Sequence, residues 1–218
     1  MNATPGLAAD QPRSLSTKGE ETRARLVRAG KEIFEENGFL DARISDISER
    51  AGLSHGSFYT YFESKEQIFR EVALGVEESL IAPLDEVILS VDSRATPQER
   101  IREAMRRYLE SYRRAAKIMG VIEQVSRHDH ALYLARLEWQ SRSEALVADS
   151  IARLQRHEFV DPRLDPVITA AVLGSMTNRF PEMWLTEGRL NCTFDDGVAH
   201  LTTIYLNALG LPRNEPAA

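Results

Sequence analysis

The chain has 218 residues, of which 43% are hydrophobic and 28% are charged, and its net charge is −6. This length and composition suit one or two domains with a sizeable core, and the single cysteine, Cys192, excludes an intrachain disulfide. No segment approaches the roughly eighteen apolar residues of a membrane span, so we predict a soluble cytoplasmic protein. Residues 1–18 are predicted to be a disordered tail rather than a signal peptide.

Helical periodicity begins after this tail. The first helix is predicted from about Gly19 to Asn37, and Gly38 is expected to end it. Two short helices follow. Ser64 is placed to cap a fourth helix, in which Pro83 predicts a kink or an end. This fourth helix would join the N-terminal part of the chain to the rest.

The second part of the chain also has helical spacing throughout. Thr96–Glu99 has the sequence of a capping box, and Gly120 is predicted to separate the helix it opens from a short following one. A long helix is predicted from about Asp129 to Arg156. Pro181 should kink or end the next helix, and Gly210 should stop the last one. Without sustained strand alternation or a sequence repeat, the predicted fold class is all-α.

Residues 45–62, SDISERAGLSHGSFYTYF, have the pattern of a helix-turn-helix. An apolar face at helical spacing marks the first helix, and Gly52 can take the left-handed conformation that ends it. Ser54 is placed to cap the second helix, predicted from about His55 to Tyr61. In such a motif the second helix lies in the major groove of DNA.

Hydroxyl groups cluster on this second helix. Hydroxyls can donate to phosphates or base edges, and an aromatic ring can contact a thymine methyl. Phe58 and Phe62 are instead predicted to be core. The alternative for the tyrosine hydroxyls is that some of them only face water. The hydroxyl cluster consists of Ser57, Tyr59, Thr60 and Tyr61.

The net negative charge does not exclude DNA. Residues 1–70 hold ten Lys and Arg against eleven Asp and Glu, so most of the acidity lies in residues 71–218. Affinity for DNA depends on the local field at the docking face rather than on total charge.

The helix-turn-helix and its flanks resemble the DNA-binding domain of the TetR family of transcriptional regulators. The resemblance runs from Thr22 to about Phe69, and it is carried by TRARLVRAGKEIFEENGF, DISERAGLSHGSFYTYF and ESKEQIF. Arg43, Ser45 and His55 depart from the residues that are usual at their positions in the family. These departures bear on which phosphates and bases are contacted.

The resemblance implies a two-domain organisation. A three-helix, helix-turn-helix DNA-binding domain would occupy residues 19–70. A helical ligand-binding and dimerisation domain would occupy residues 71–211, followed by a tail at residues 212–218. The family also implies a homodimer, most often a repressor, that binds a palindromic operator in double-stranded DNA and responds to a small-molecule effector.

The resemblance further implies that Tyr61 and Lys65 contact backbone phosphate, with Ser57 and Tyr59 near the bases. Arg43 precedes the first helix of the motif and could reach phosphate, with solvent as the alternative. His55 is either a DNA contact or an exposed first-turn residue. The full set of candidate DNA-binding residues is Arg43, Ser45, His55, Ser57, Tyr59, Thr60, Tyr61 and Lys65.

Aromatic and Met side chains in the second domain suggest an effector cavity, although core packing is the default for each one. An apolar cavity would favour a hydrophobic or amphipathic effector. A buried Arg136 would indicate an anionic ligand, and an exposed one would not. The candidate ligand-binding residues are Met105, Tyr108, Tyr112, Arg136, Trp139, Met176 and Phe180.

Dimerisation is predicted through the helices around Val167–Met176 and Val198–Leu209. A constitutive DNA-binding factor without ligand control is the alternative function. We expect no enzyme, because no nucleophile–base motif or phosphate loop is recognisable. No cofactor is predicted. His128 and His130 lie on different helix faces without further ligands nearby in the sequence, so no metal site is predicted either.

Overall fold

The structure is a computed structural model that describes residues 16–88 and 95–211, and the side chains of all of these except residues 82–88. Every regular element within these ranges is helical, which confirms the predicted fold class. The first helix begins at Thr17, two residues before the predicted start. The tails predicted at residues 1–18 and 212–218 therefore lie almost wholly outside the described residues.

Eight α-helices and one π-helical turn make up the described fold. The π-helical turn lies between the last two helices, at Glu182–Thr186. The helices are α1 (Thr17–Asp41), α2 (Ile44–Arg50), α3 (His55–Phe58), α4 (Lys65–Ile88), α5 (Pro97–Ser126), α6 (His130–Arg156), α7 (Pro166–Pro181) and α8 (Phe194–Ala208).

Two glycine predictions had different outcomes. Gly38 breaks the helical conformation near the end of α1, with φ of 72° and ψ of 178°. Gly120, by contrast, does not separate two helices, because α5 runs through it to Ser126. A Cβ atom at Gly120 would lie 3.0 Å from Cγ2 of Thr186, so this glycine permits close packing against the π-helical turn.

The proline predictions also differ in outcome. Pro83 does not end α4, which continues to Ile88. Pro181 is the last residue of α7, as predicted, and the chain then widens into the π-helical turn. The predicted capping box at Thr96 and Glu99 is present.

One continuous core joins the two parts of the molecule. In the N-terminal part, the Phe34 and Phe69 rings meet edge to face with centroids 4.9 Å apart, which fixes α1 on α4. Helix α4 then packs along α5, and α5 packs against α8 and the π-helical turn. The buried side chains of both parts belong to a single hydrophobic cluster, which includes Leu26 in α1 and Leu211 near the end of the described chain. Helix α4 therefore belongs to both parts.

Candidate DNA-binding surface and effector cavity

The turn between α2 and α3 forms as the sequence predicts. Gly52 has φ of 66°, in the left-handed region. The Leu53 amide donates to the Ser48 carbonyl over 2.9 Å and closes the turn. The Arg25 guanidinium of α1 donates to the Ala51 carbonyl, so the first helix holds the turn in place.

Helix α3 is shorter than predicted. Ser54 caps it by accepting from the Ser57 amide at 3.3 Å, but the regular α-helix ends at Phe58. One further turn follows, in which the Tyr61 amide donates to the Phe58 carbonyl over 2.9 Å. Phe58 and Phe62 are 0% and 1% exposed, which confirms that they anchor the motif in the core.

All candidate DNA-binding residues except Lys65 lie on or next to α2 and α3, and most of them are exposed. Tyr59 is 52% exposed, and its ring meets the His55 ring edge-on with centroids 5.5 Å apart. Ser57 and Tyr61 are half-buried. The exposed members are Arg43, Ser45, His55, Tyr59 and Thr60. Hydroxyl, imidazole and guanidinium groups of this segment are therefore accessible to solvent, where a DNA backbone could meet them.

Lys65 has a different environment from the one predicted. Its ammonium donates to the carbonyls of Phe39, Leu40 and Ala42 over 2.7, 3.1 and 2.9 Å. It also lies 4.7 Å from the centroid of the Phe39 ring. A lysine has three N–H donors, so these bonds leave none for a phosphate. The predicted phosphate contact is therefore replaced by a structural role, in which Lys65 ties the start of α4 to the end of α1.

A cavity of about 290 Å³ lies among α4, α5, α6 and α7. Four predicted ligand-binding residues line it, namely Tyr108, Tyr112, Arg136 and Trp139. A smaller cavity of about 70 Å³ shares Tyr108 and Trp139 with it and is also lined by Met105. We call these two spaces together the central cavity.

Met176 and Phe180 are placed outside the lining of the central cavity. The Phe180 ring lies against Trp184 with centroids 5.5 Å apart, and Trp184 stacks in turn on Phe194. Met176 packs against the core. Periodicity predicted that both side chains face inward, but inward for α7 includes this aromatic stack as well as the central cavity.

Arg136 is neither a free buried cation nor an exposed one. Its guanidinium is half-buried and is bonded to Glu77 of α4, to Glu123 of α5 and, over 3.0 Å, to the Ser126 hydroxyl. Burial acts to lower the pKa of Arg136, but the two carboxylates outweigh it and raise that pKa. Since Arg136 is already neutralised, it does not predict an anionic ligand.

Glu77 was missed by the sequence analysis. It is 2% exposed, and its Oε2 atom accepts no hydrogen bond from the described residues. Burial raises the pKa of the Glu77 carboxyl, and the charge of Arg136 acts in the opposite direction. The sequence spacing could have identified Glu77, because it lies four residues after Ala73 and three before Leu80. Helical periodicity therefore puts it on the same buried face of α4 as these two residues.

Comparison with known proteins agrees with this architecture. Residues 26–72 match the model of bacterial regulatory proteins of the tetR family. The HTH-type transcriptional regulator YdgC of Bacillus subtilis, which is uncharacterized, is 47% identical over 58 residues, 27% of this chain and 30% of YdgC. The repressor KstR2 of Rhodococcus jostii is 27% identical over 150 residues, 65% of this chain and 74% of KstR2.

The DNA-binding part of the chain belongs to the TetR family of transcriptional regulators. A solved TetR-family structure from Mesorhizobium loti superposes with a TM-score of 0.77 at 18% identity, over 89% of this chain and 98% of that one. SmeT, the repressor of a Stenotrophomonas maltophilia multidrug efflux pump, superposes with a TM-score of 0.67 at 18% identity, over 85% and 89%. This TetR-family protein is thus a DNA-binding transcriptional regulator and not an enzyme.

Two features are absent from the described residues. None of their helices has the length and apolar character needed to cross a membrane. Among the same residues, no group of three or more His, Cys, Asp or Glu side chains is arranged to hold a metal ion.

Proposed function

We propose that this regulator is a dimeric repressor, which leaves a palindromic operator when a small, largely hydrophobic effector occupies the central cavity. The observation that carries the proposal is the span of α4. Its residues Ile68 and Phe69 are buried in the core of the DNA-binding part, while Glu77 and Leu80 line the central cavity. One rigid element thus connects effector and DNA.

Helix α4 also favours the central cavity over a second cavity as the effector site. Another cavity, of about 300 Å³, lies among α5, α6 and α8, and its lining includes Ile101, Ile151 and Leu154. No described residue of α4 lines it. A ligand there would have no direct contact with the element that leads to the DNA-binding surface. The central cavity is therefore the better candidate.

Dimerisation is supported by an apolar face on α7. Val167, Ile168 and Val172 are 69%, 67% and 63% exposed, and Ile204 of α8 is 53% exposed. Leaving such a row of aliphatic side chains in water is unfavourable, and a second copy would bury it. By contrast, Leu201 is 3% exposed and packs in its own protomer, so it is not part of this face.

Repression is supported by two relatives that are named as repressors, KstR2 and SmeT. A twofold dimer presents two equivalent DNA-binding surfaces, so its operator should be palindromic. In the allosteric mechanism, the effector binds better to a state in which these surfaces are wrongly spaced.

Genome-wide mapping of the bound DNA, followed by an operator-release screen, tests this proposal. The mapping should yield a palindromic site, and a compound from a panel of hydrophobic metabolites should release it. DNA should weaken binding of that compound by the same factor. If the site is palindromic but no compound changes DNA affinity, the constitutive alternative is correct.

A further inference from the structure

The central cavity contains a buried carboxylate with an unused oxygen. Oε1 of Glu77 accepts from Arg136, whereas Oε2 is buried without a hydrogen-bond partner among the described residues. A buried acceptor that is left unsatisfied costs free energy that a suitable donor recovers. Because Glu77 lines the central cavity, a rotation of its carboxyl group toward that space would let a bound molecule supply the donor.

The charges around the central cavity do not balance. In the lining of its larger space, Glu77, Glu123 and Glu182 contribute three carboxylates, and Arg136 and Arg179 contribute two guanidinium groups. Arg179 is paired with Glu182 at 2.6 Å and with Glu187, which is not part of this lining, at 2.8 Å. Arg136 is shared between Glu77 and Glu123. One negative charge is left over at the Glu77 end, in a place that water reaches poorly.

Aromatic rings surround the same space. Tyr108, Tyr112, Tyr133 and Trp139 all contribute to the lining of the central cavity. The face of an aromatic ring carries negative electrostatic potential and attracts a cation, most strongly when both are desolvated. Rings and the surplus carboxylate therefore favour the same kind of group, whereas an anion would meet unfavourable potential from both.

We infer that the effector is an amphipathic organic cation, in which a protonated amine donates to Oε2 of Glu77 and an apolar body lies against Trp139. This inference rests on the proposed function and specifies that the largely hydrophobic effector also carries a positive charge. The volume of about 290 Å³ is at the small end of ligand sites, which favours a compact molecule with one ring system.

Binding of matched compounds to the full-length protein, measured by calorimetry without DNA, tests the inference. Two skeletons are used, each as an amine, an alcohol and a carboxylate. The first series is phenylbutylamine, phenylbutanol and phenylbutyrate, and the second is naphthylethylamine, naphthylethanol and naphthylacetate. Each amine should bind roughly tenfold or more tightly than its alcohol, and the carboxylate most weakly.

The Glu77→Gln substitution should reduce the affinity for the amines to that for the alcohols, because the amide is neutral. Glu78→Gln is the matched control, since Glu78 is the next residue of α4 and is exposed. It should leave the preference for amines unchanged. Should Glu77→Gln fail to fold, as far-ultraviolet circular dichroism would show, the comparison of amine with alcohol on the unaltered protein still decides.

Amines that bind no more tightly than alcohols in both series, including no binding by either at millimolar concentration, would overturn the inference. The proposed function would fail differently. A neutral compound that releases the operator would preserve the proposed function and contradict the cationic effector. If no compound of any kind released the operator in the separate operator-release screen, both the proposed function and the cationic effector would be contradicted.

Discussion

Two surfaces of this molecule are left without a partner in one protomer, and their chemistry is opposite. The surface around α2 and α3 exposes hydroxyl, imidazole and guanidinium groups, with Tyr59 as its largest exposed ring. The face of α7 exposes aliphatic side chains, including Val167 and Val172. A polar surface suits a hydrated phosphate backbone, whereas an aliphatic face is satisfied only by another apolar surface. This difference supports the proposal that DNA binds the first surface and that a second copy covers the other.

The largest expected effect comes from placing a charge on the aliphatic face. Val172→Glu would bury an unpaired carboxylate twice in the dimer, at a cost of several kcal/mol. We expect the dimer dissociation constant to rise by at least about a hundredfold. Sedimentation should show monomers, and operator affinity should collapse with dimerisation.

Ala131→Glu provides the matched control, because Ala131 is exposed at the start of α6 and is not one of the exposed aliphatic side chains of α7 and α8. It should remain dimeric and bind the operator normally. A Val172→Glu protein that still sediments as a dimer would show that the interface lies elsewhere.

Lys65 sharpens the comparison because it lies next to the polar surface but is bonded inward. Lys65→Met keeps a side chain of similar length and removes the three bonds to the carbonyls of Phe39, Leu40 and Ala42 at the end of α1. Its unfolding free energy should fall by about 1–3 kcal/mol, as expected when buried acceptors lose a charged donor. Denaturant unfolding measures this change.

The salt dependence of operator binding separates the two roles of Lys65. If its function is structural, the slope of log affinity against log salt is the same for Lys65→Met and the unaltered protein. If the slope for Lys65→Met were smaller by about one, Lys65 would contact a phosphate, as the sequence predicted.

Arg43 should show the opposite behaviour. It is exposed at the start of α2, where no side-chain cap bond is formed. Arg43→Ala should weaken binding to all DNA sequences by roughly tenfold and lower the salt slope by about one, with unchanged stability. Ser57→Ala should instead alter preference at one base position. An unchanged salt slope for Arg43→Ala would remove Arg43 from the interface.

The smallest effect on DNA is expected at Trp139. Trp139→Ala removes a half-buried wall of the central cavity, so effector-free operator affinity should be nearly unchanged. The effector concentration needed for release should rise at least about tenfold, since the main apolar contact is lost. Fluorescence anisotropy of labelled operator measures both quantities. Global unfolding of this variant would show that Trp139 is a core residue.

The sequence was most informative where structure is determined locally. Gly52 and Ser54 specify a turn and a cap through their own backbone and side chain, so the helix-turn-helix could be predicted. The role of Gly120 could not, because it depends on Thr186, which lies far along the chain and packs against it. Sequence spacing does not reveal such a contact.

Tertiary context also decided the residues of the second domain. Periodicity identified Leu201 and Val172 as apolar positions, but could not distinguish a side chain that packs in its own protomer from one exposed on the surface. Glu77 was missed for a related reason, since its partner Arg136 lies on another helix. The domain boundary at residue 70 stays a prediction, as α4 belongs to both sides of it.

The bonds between Lys65 and the end of α1 have a mechanical consequence. They join the start of α4 to the DNA-binding part, so a movement of α4 is passed on as rotation of a rigid body rather than absorbed in a loose joint. Twelve residues of helix separate Glu77 from Lys65, or about 18 Å. A tilt of about 5° at Glu77 would then move Lys65 by about 1.5 Å, and in a symmetric dimer the two displacements would add. Under the proposed function, weakening these bonds of the Lys65 ammonium would uncouple effector binding from DNA binding without changing the effector cavity.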